Sequence, residues 1–235
     1  MIINSMTSTK DYLTAVEVVS SVASFEGLDA TALETLARAA IRIEFAADQV
    51  VFLEGEPCAG LYLVQSGWLK AVKTSPAGRE QVMRIVGPGE VFNEMGVLVG
   101  EANFVTVIAL EPATVWVIQR DALMRLLEEH PRLSRIIMQN LAKRMQHLIR
   151  LVEDLSLRPV ESRLARLLLE ETAMDVWSGR RWATQAELAA RLGTVPDVIN
   201  RALRSLAEEG LVQIERRRIR VLDRKRLENK VSLGN

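Results

Sequence analysis

Between Gln49 and Gln119 the apolar residues gather into short runs, each closed off by turn formers. The runs are Val50-Val51-Phe52-Leu53, Leu61-Tyr62-Leu63-Val64, Trp68-Leu69, Val82-Met83-Arg84-Ile85-Val86, Val105-Thr106-Val107-Ile108 and Val115-Trp116-Val117-Ile118. Gly55, Gly67, Pro76 to Gly78, Gly87-Pro88-Gly89, Gly100 and Glu111-Pro112 stand around and between them. Runs of this length and composition, punctuated in this way, read as strands of a compact antiparallel β domain.

The flanking segments keep a helical period. Residues 11 to 48 read as helical pieces, with Leu28, Leu33 and Leu36 at helical spacing after a turn at Gly27. A long helix is expected from Pro131 to Leu155, because proline suits the first helical position, where its missing N–H would be unpaired anyway. Along it Ile137, Leu141, Arg144, Leu148, Leu151 and Leu155 alternate by four and three, a heptad seam interrupted only by Arg144. Such a seam calls for a partner helix, and packing against the chain's own β domain is the other reading. Pro159 cannot continue a hydrogen-bonded helix, so Leu155 to Arg158 reads as a hinge. Beyond it come helix 160–174, a turn at Trp177 to Arg181, helices 184–192 and 196–209, and strands around Val212-Gln213-Ile214 and Arg218 to Leu222. The class is α+β, divided as residues 1–120, a helical connector over 121–156, and a C-terminal domain over 157–235.

Charge separates the two ends, although the whole chain is neutral. Residues 157–235 hold 16 Lys and Arg against 11 Asp and Glu, a net of +5, which leaves 14 against 19, a net of −5, in residues 1–156. The basic end is therefore the candidate for nucleic acid. A single cysteine, Cys58, permits no internal disulfide and cannot by itself hold zinc or an iron–sulfur cluster. No stretch approaches the roughly 20 apolar residues of a membrane span, and the first ten lack a basic start followed by an apolar segment. The expectation is a cytoplasmic protein with no membrane partner.

Thr184 to Gly193 followed by Thr194 to Leu203 has the layout of a helix-turn-helix, with Gly193 in the turn. Thr184 and Glu187 stand at capping-box spacing, and Pro196 suits the first position of the second helix. There Ile199, Leu203 and Leu206 share one face, which leaves Asp197, Asn200, Arg201 and Arg204 pointing elsewhere. Arginine can fork onto guanine, asparagine onto adenine, and a carboxylate can accept from cytosine, so these side chains have the chemistry to read a major groove. Glu215-Arg216-Arg217-Arg218, running into Ile219-Arg220-Val221, reads as a wing with a cationic tip for phosphate.

These residues carry a resemblance. Val51-Phe52-Leu53-Glu54-Gly55-Glu56-Pro57, Leu61 to Gly67 and Gly87-Pro88-Gly89-Glu90-Val91-Phe92-Asn93-Glu94, with Glu187-Leu188-Ala189 to Gly193 and Val198 to Leu203, resemble the family of the cyclic AMP receptor protein and the fumarate–nitrate reduction regulator. The resemblance spans nearly the whole chain. It implies a cyclic-nucleotide-binding-like β-roll (a double-stranded jelly roll), a long dimerisation helix and a C-terminal winged helix-turn-helix. It also implies a transcription regulator acting as a homodimer on near-palindromic double-stranded DNA, with RNA polymerase as a partner and half-sites roughly 34 Å apart. Gln185 matches a position that often touches phosphate. With the wing arginines, the DNA set is Gln185, Pro196, Asp197, Asn200, Arg201, Arg204, Arg216, Arg217 and Arg218.

By the same resemblance Asn93, Glu94, Met95, Asn103, Phe104, Leu148 and Ile149 line the effector pocket. Glu94 matches the ribose-binding glutamate. Asn103 and Phe104, however, stand where members that bind cyclic AMP carry an Arg-Ser pair, and neither can neutralise a phosphate. Leu148 and Ile149 replace the Thr-Ser pair that touches adenine. Cyclic AMP is thus disfavoured, as is an iron–sulfur cluster, since that branch needs four cysteines. Haem stays open, with His130, His147, Cys58 and the methionines as conceivable axial ligands. An apolar effector, or none, stays open as well. The competing function from another class is a β-roll regulatory subunit of a partner enzyme; no motif for a catalytic activity of its own is found.

Overall fold

The computed structural model describes residues 9–174, 182–215 and 218–232. The chain divides into two compact units, one of residues 1–73 and 83–146, the other of residues 74–82 and 147–235.

The first unit opens with α1 (Thr9–Ser21), a short 3-10 turn at Ala23–Phe25 and α2 (Ala30–Ala39). Asp29 caps α2 by accepting from the Ala32 amide at 2.8 Å. Eight strands follow: β1 (Ala40–Phe45), β2 (Val50–Phe52), β3 (Gly60–Ser66), β4 (Leu69–Thr74), β5 (Glu80–Val86), β6 (Val91–Phe92), β7 (Thr106–Ala109) and β8 (Ala113–Gln119). They make two four-stranded sheets, ordered β1-β8-β3-β6 and β2-β7-β4-β5. β1 corrects one expectation. Residues 40–45 pair along their full length with β8, from Ala40 opposite Ile118 to Phe45 opposite Ala113, instead of extending the helical leader. The alternating Ile41, Ile43 and Phe45 suit a pleated edge beside β8.

β3 and β8 are covered on both faces, and the two-residue period sorts their side chains between two cores. Tyr62, Val64, Val115 and Val117 join Phe45, Phe52, Leu69, Phe92 and Val107 in one. Leu61, Leu63, Trp116 and Ile118 turn the other way, onto Val19, Phe25, Leu36 and Leu133. Trp116 lies fully buried in that second core, and its indole N–H is satisfied by Gln65 Oε1 at 2.8 Å.

α3 (Glu94–Val99), α4 (Arg120–Glu129) and α5 (Pro131–Leu157) complete this part of the chain, with Pro131 opening α5 as expected. Leu133 and Ile137 of α5 are buried in the helix-side core, and Leu141 packs against it. The opening of the seam is therefore spent within the chain. Further along, Met138, Met145, Ile149 and Val152 are each more than three-fifths exposed.

The second unit contains the end of α5, then α6 (Val160–Met174), α7 (Gln185–Arg191), α8 (Pro196–Glu208), the ribbon of β9 (Val212–Glu215) with β10 (Arg218–Val221), and α9 (Arg224–Ser232). Its core gathers Leu164, Leu168, Leu188, Ile199, Leu203, Leu206, Leu211 and Leu227. The expected turn at residues 177–181 lies outside the described residues. Where α5 meets α6, Asp154 forms ion pairs with Arg158 at 3.1 Å and Arg166 at 2.9 Å. Arg158 also reaches Glu153 at 2.9 Å and donates to the Val231 carbonyl of α9.

Candidate functional site

Two places matter: the exposed face around α7 and α8, and the group of polar side chains near β5, β6 and α3. In the first, Thr184 caps α7, its hydroxyl accepting from the Glu187 amide at 3.2 Å. Gly193 then takes a left-handed φ of +62°, a conformation open to glycine at no steric cost. The Thr194 amide returns to the Ala189 carbonyl at 2.9 Å, which closes the turn. α8 starts at Pro196 and is seated by Ile199, Ala202, Leu203 and Leu206, all buried.

With those anchors inward, Pro196, Asp197, Arg201 and Arg204 are exposed and Asn200 is half-buried. Gln185 is exposed at the start of α7. The structure thus brings cationic, amide and carboxylate groups onto one short helix seated by its buried apolar anchors. Arg218 opens β10 opposite Glu215. Arg216 and Arg217 lie outside the described residues. Sequence analysis gave Val195 no part in the site. In the structure it is 49% exposed, immediately before Pro196.

The second place is a dense polar network. The Asn93 amide nitrogen donates to the Gly60 carbonyl at 3.2 Å, to Asn103 Oδ1 at 3.1 Å and towards Cys58 Sγ at 3.3 Å. Asn93 holds a left-handed φ of 73°, which asparagine tolerates better than most residues. Buried Asn103 donates in turn to the Leu53 carbonyl at 3.3 Å, so this amide is occupied on both sides. Burial raises the pKa of the Cys58 thiol above its ordinary value. Met95 and Phe104 are partly exposed, at 42% and 38%. Leu148 and Ile149 are exposed on α5 and belong to the second unit, whereas Asn93, Glu94, Met95, Asn103 and Phe104 belong to the first.

Glu94 is buried and receives Arg144 of α5, with Nη2 at 2.7 Å and Nε at 3.1 Å from the same carboxylate oxygen. Arg144 Nη2 also donates to the Val91 carbonyl at 2.6 Å, and Arg84 Nη1 reaches that carbonyl at 3.0 Å. Arg84 is paired with Glu90 at 2.5 Å. Burial lowers the Arg84 pKa, Glu90 works against that shift, and the nearby Arg144 charge adds to it. Among the seam residues, then, Arg144 turns to Glu94, Ile137 is buried in the first unit's core, and Leu155 is 40% exposed. The Glu94 pairing was missed from sequence. Its one signal was Arg144 itself, the only charge on the heptad seam.

The two histidines stay apart in role: the His130 backbone closes the junction of α4 and α5, and His147 lies exposed on α5. Among the described residues no group of three or more His, Cys, Asp or Glu is placed to hold a metal ion, and no helix is long and apolar enough to cross a membrane.

Comparison with known proteins finds two domain matches. Residues 42–130 match the cyclic nucleotide-binding domain, and residues 162–230 match the Crp-like helix-turn-helix domain. The chain is 27% identical over 220 residues to a CRP-like cAMP-activated global transcriptional regulator of Mycobacterium tuberculosis, covering 90% of this chain and 97% of that one. It is 33% identical over 172 residues to the HTH-type transcriptional regulator Cmr of the same organism, covering 73% and 68% of the two chains. FixK2 from Bradyrhizobium japonicum shares the fold, with a TM-score of 0.73, 23% identity and coverage of 81% and 96%. A sensor-type β domain, a long helix and a seated reading helix, joined to relatives of this closeness, place the chain in the Crp/Fnr family of DNA-binding transcription regulators.

Proposed function

We propose that the chain works in the cytoplasm as a homodimer on a near-palindromic promoter site and contacts RNA polymerase there. Residues 1–120 would serve as sensor, 121–156 as connector and dimerisation helix, and 157–235 as the DNA-binding domain. One observation carries the reading: α8 buries Ile199, Leu203 and Leu206 and leaves Asp197, Arg201 and Arg204 to solvent, the division a groove-reading helix needs. Asn200, Pro196 and Gln185 complete the DNA face, and Arg216 to Arg218 supply phosphate contacts. The exposed residues of α5 from Met145 to Leu155 supply the surface for a second copy.

The effector of the β-roll is not cyclic AMP in this reading. Asn103 is committed to Leu53 and Asn93, Phe104 carries no charge, and Glu94 is engaged by Arg144, so the Asn103–Phe104 step itself supplies no cation to receive a phosphate. No catalytic activity is proposed. The test is fluorescence anisotropy with a duplex selected from a random pool. Arg201→Ala should lower specific affinity by about 1–3 kcal/mol while sparing scrambled DNA. Neutralising Arg216 to Arg218 should weaken all sequences and flatten the salt dependence. Added cyclic AMP should leave the wild-type affinity unchanged. Equal wild-type binding to selected and scrambled duplexes would contradict the regulator reading.

A further inference from the structure

α8 begins against the local rules. Its N-cap is Val195, with extended backbone angles and no side-chain hydrogen bond to the first turn. Valine is among the poorest residues at that position. The other helix of the pair is capped by Thr184, and α2 by Asp29. Nor does burial explain the choice, since Val195 is 49% exposed. Pro196 beside it is exposed too, which gives the leading edge of α8 a small, rigid apolar surface. Asp197 follows, with Arg201 one turn further on the same face. Sites that break local rules without a structural return are where function is found.

The first residues of a recognition helix meet base edges, and the apolar group displayed in the major groove is the thymine C5-methyl. We infer that Val195 and Pro196 read a thymine methyl in each half-site, beside the base taken by Arg201. This rests on the DNA-binding reading of α8 and adds a residue to it. Arg201 supplies a charge-assisted fork; Val195 and Pro196 supply a dry contact that cytosine, lacking the methyl, does not return.

The experiment uses the full-length protein and its selected duplex, with each thymine replaced in turn by deoxyuridine, which removes the methyl alone. At one position per half-site the replacement should weaken wild-type binding about fourfold, the scale of one buried methyl group. Val195→Ser returns a capping hydroxyl and removes the apolar contact. It should raise the melting temperature, lose more than half of the wild type's preference for thymine over deoxyuridine, and keep its sensitivity to the base read by Arg201. Should Val195→Ser fail to fold, Val195→Ala carries the same comparison. The inference falls if no thymine position responds in the wild type, or if the Val195 variant keeps the discrimination. Failure to select any sequence would instead remove the DNA-reading role of α8, so the two failures are distinct.

Discussion

Arg144 and Glu94, fifty residues apart, are joined by two hydrogen bonds to one carboxylate oxygen, and the Glu94 side chain is only 1% exposed. The pair ties α5 to the first turn of α3. Arg144→Met keeps the stem and removes the charge, leaving a carboxylate out of reach of water. We expect a loss of about 2–4 kcal/mol in urea denaturation, with much of it restored when Glu94→Gln is added. A single variant as stable as wild type would show that the carboxylate has other support.

Tyr62 lies among Phe92, at 5.0 Å between ring centroids, and Phe52, at 5.3 Å. Burial, aided by the charges of Cys58 and Glu56, pushes its pKa up to about 12. The protonated phenol is the folded form, so its contribution is complete below the unfolded value near 10 and is lost as pH rises from there through about 12. The difference in stability between wild type and Tyr62→Phe should therefore be flat below about pH 10 and shift against the wild type by about 2–3 kcal/mol across that window. Denaturation curves at stepped alkaline pH would show it. A flat difference throughout would mean that Tyr62 is freely hydrated.

Ile149 and Val152 are 62% and 63% exposed on α5. If the proposed homodimer packs on this face, charging either position, as Ile149→Glu or Val152→Glu, should shift sedimentation from dimer to monomer at micromolar concentration. Far-ultraviolet circular dichroism should stay unchanged. Persistence of the dimer in both variants would move the interface elsewhere.

Leu203 is 2% exposed beneath α8. Leu203→Ala should cost about 2–5 kcal/mol in the second unit. Because the reading helix is seated by this residue, specific DNA binding should weaken with it, even where Arg201 is intact. Thermal unfolding followed alongside anisotropy would separate this from a loss of charge.

Most of the second unit could be read from sequence because its signals are local. Thr184, Gly193, Pro196 and the spacing of Ile199, Leu203 and Leu206 each specify a cap, a turn, a start or a face without help from distant residues. The β domain was legible as strands, but not strand by strand. Residues 40–45 alternate Ile41, Ile43 and Phe45 by two, a strand signal too short to stand out directly after the helix α2 until pairing with β8 is seen. α3 and α9 passed unnoticed, being short and flanked by turn residues or charge. The Arg144–Glu94 pair lay beyond local reasoning altogether. Heptad spacing puts Arg144 on a seam, and only the packing of α5 beside α3 reveals which anion it meets.

The corner where α5 meets α6 looked from its proline like a place to bend. Helical hydrogen bonding continues through Leu157, and Asp154 holds Arg158 at the helix end and Arg166 across the break. Swivelling there would part Asp154 from Arg166 and Arg158 from the Val231 carbonyl, and Arg158, at 9% exposure, has little solvent to fall back on. The corner is a braced elbow: the last turns of the long helix and the start of α6 are expected to turn as one piece within the second unit.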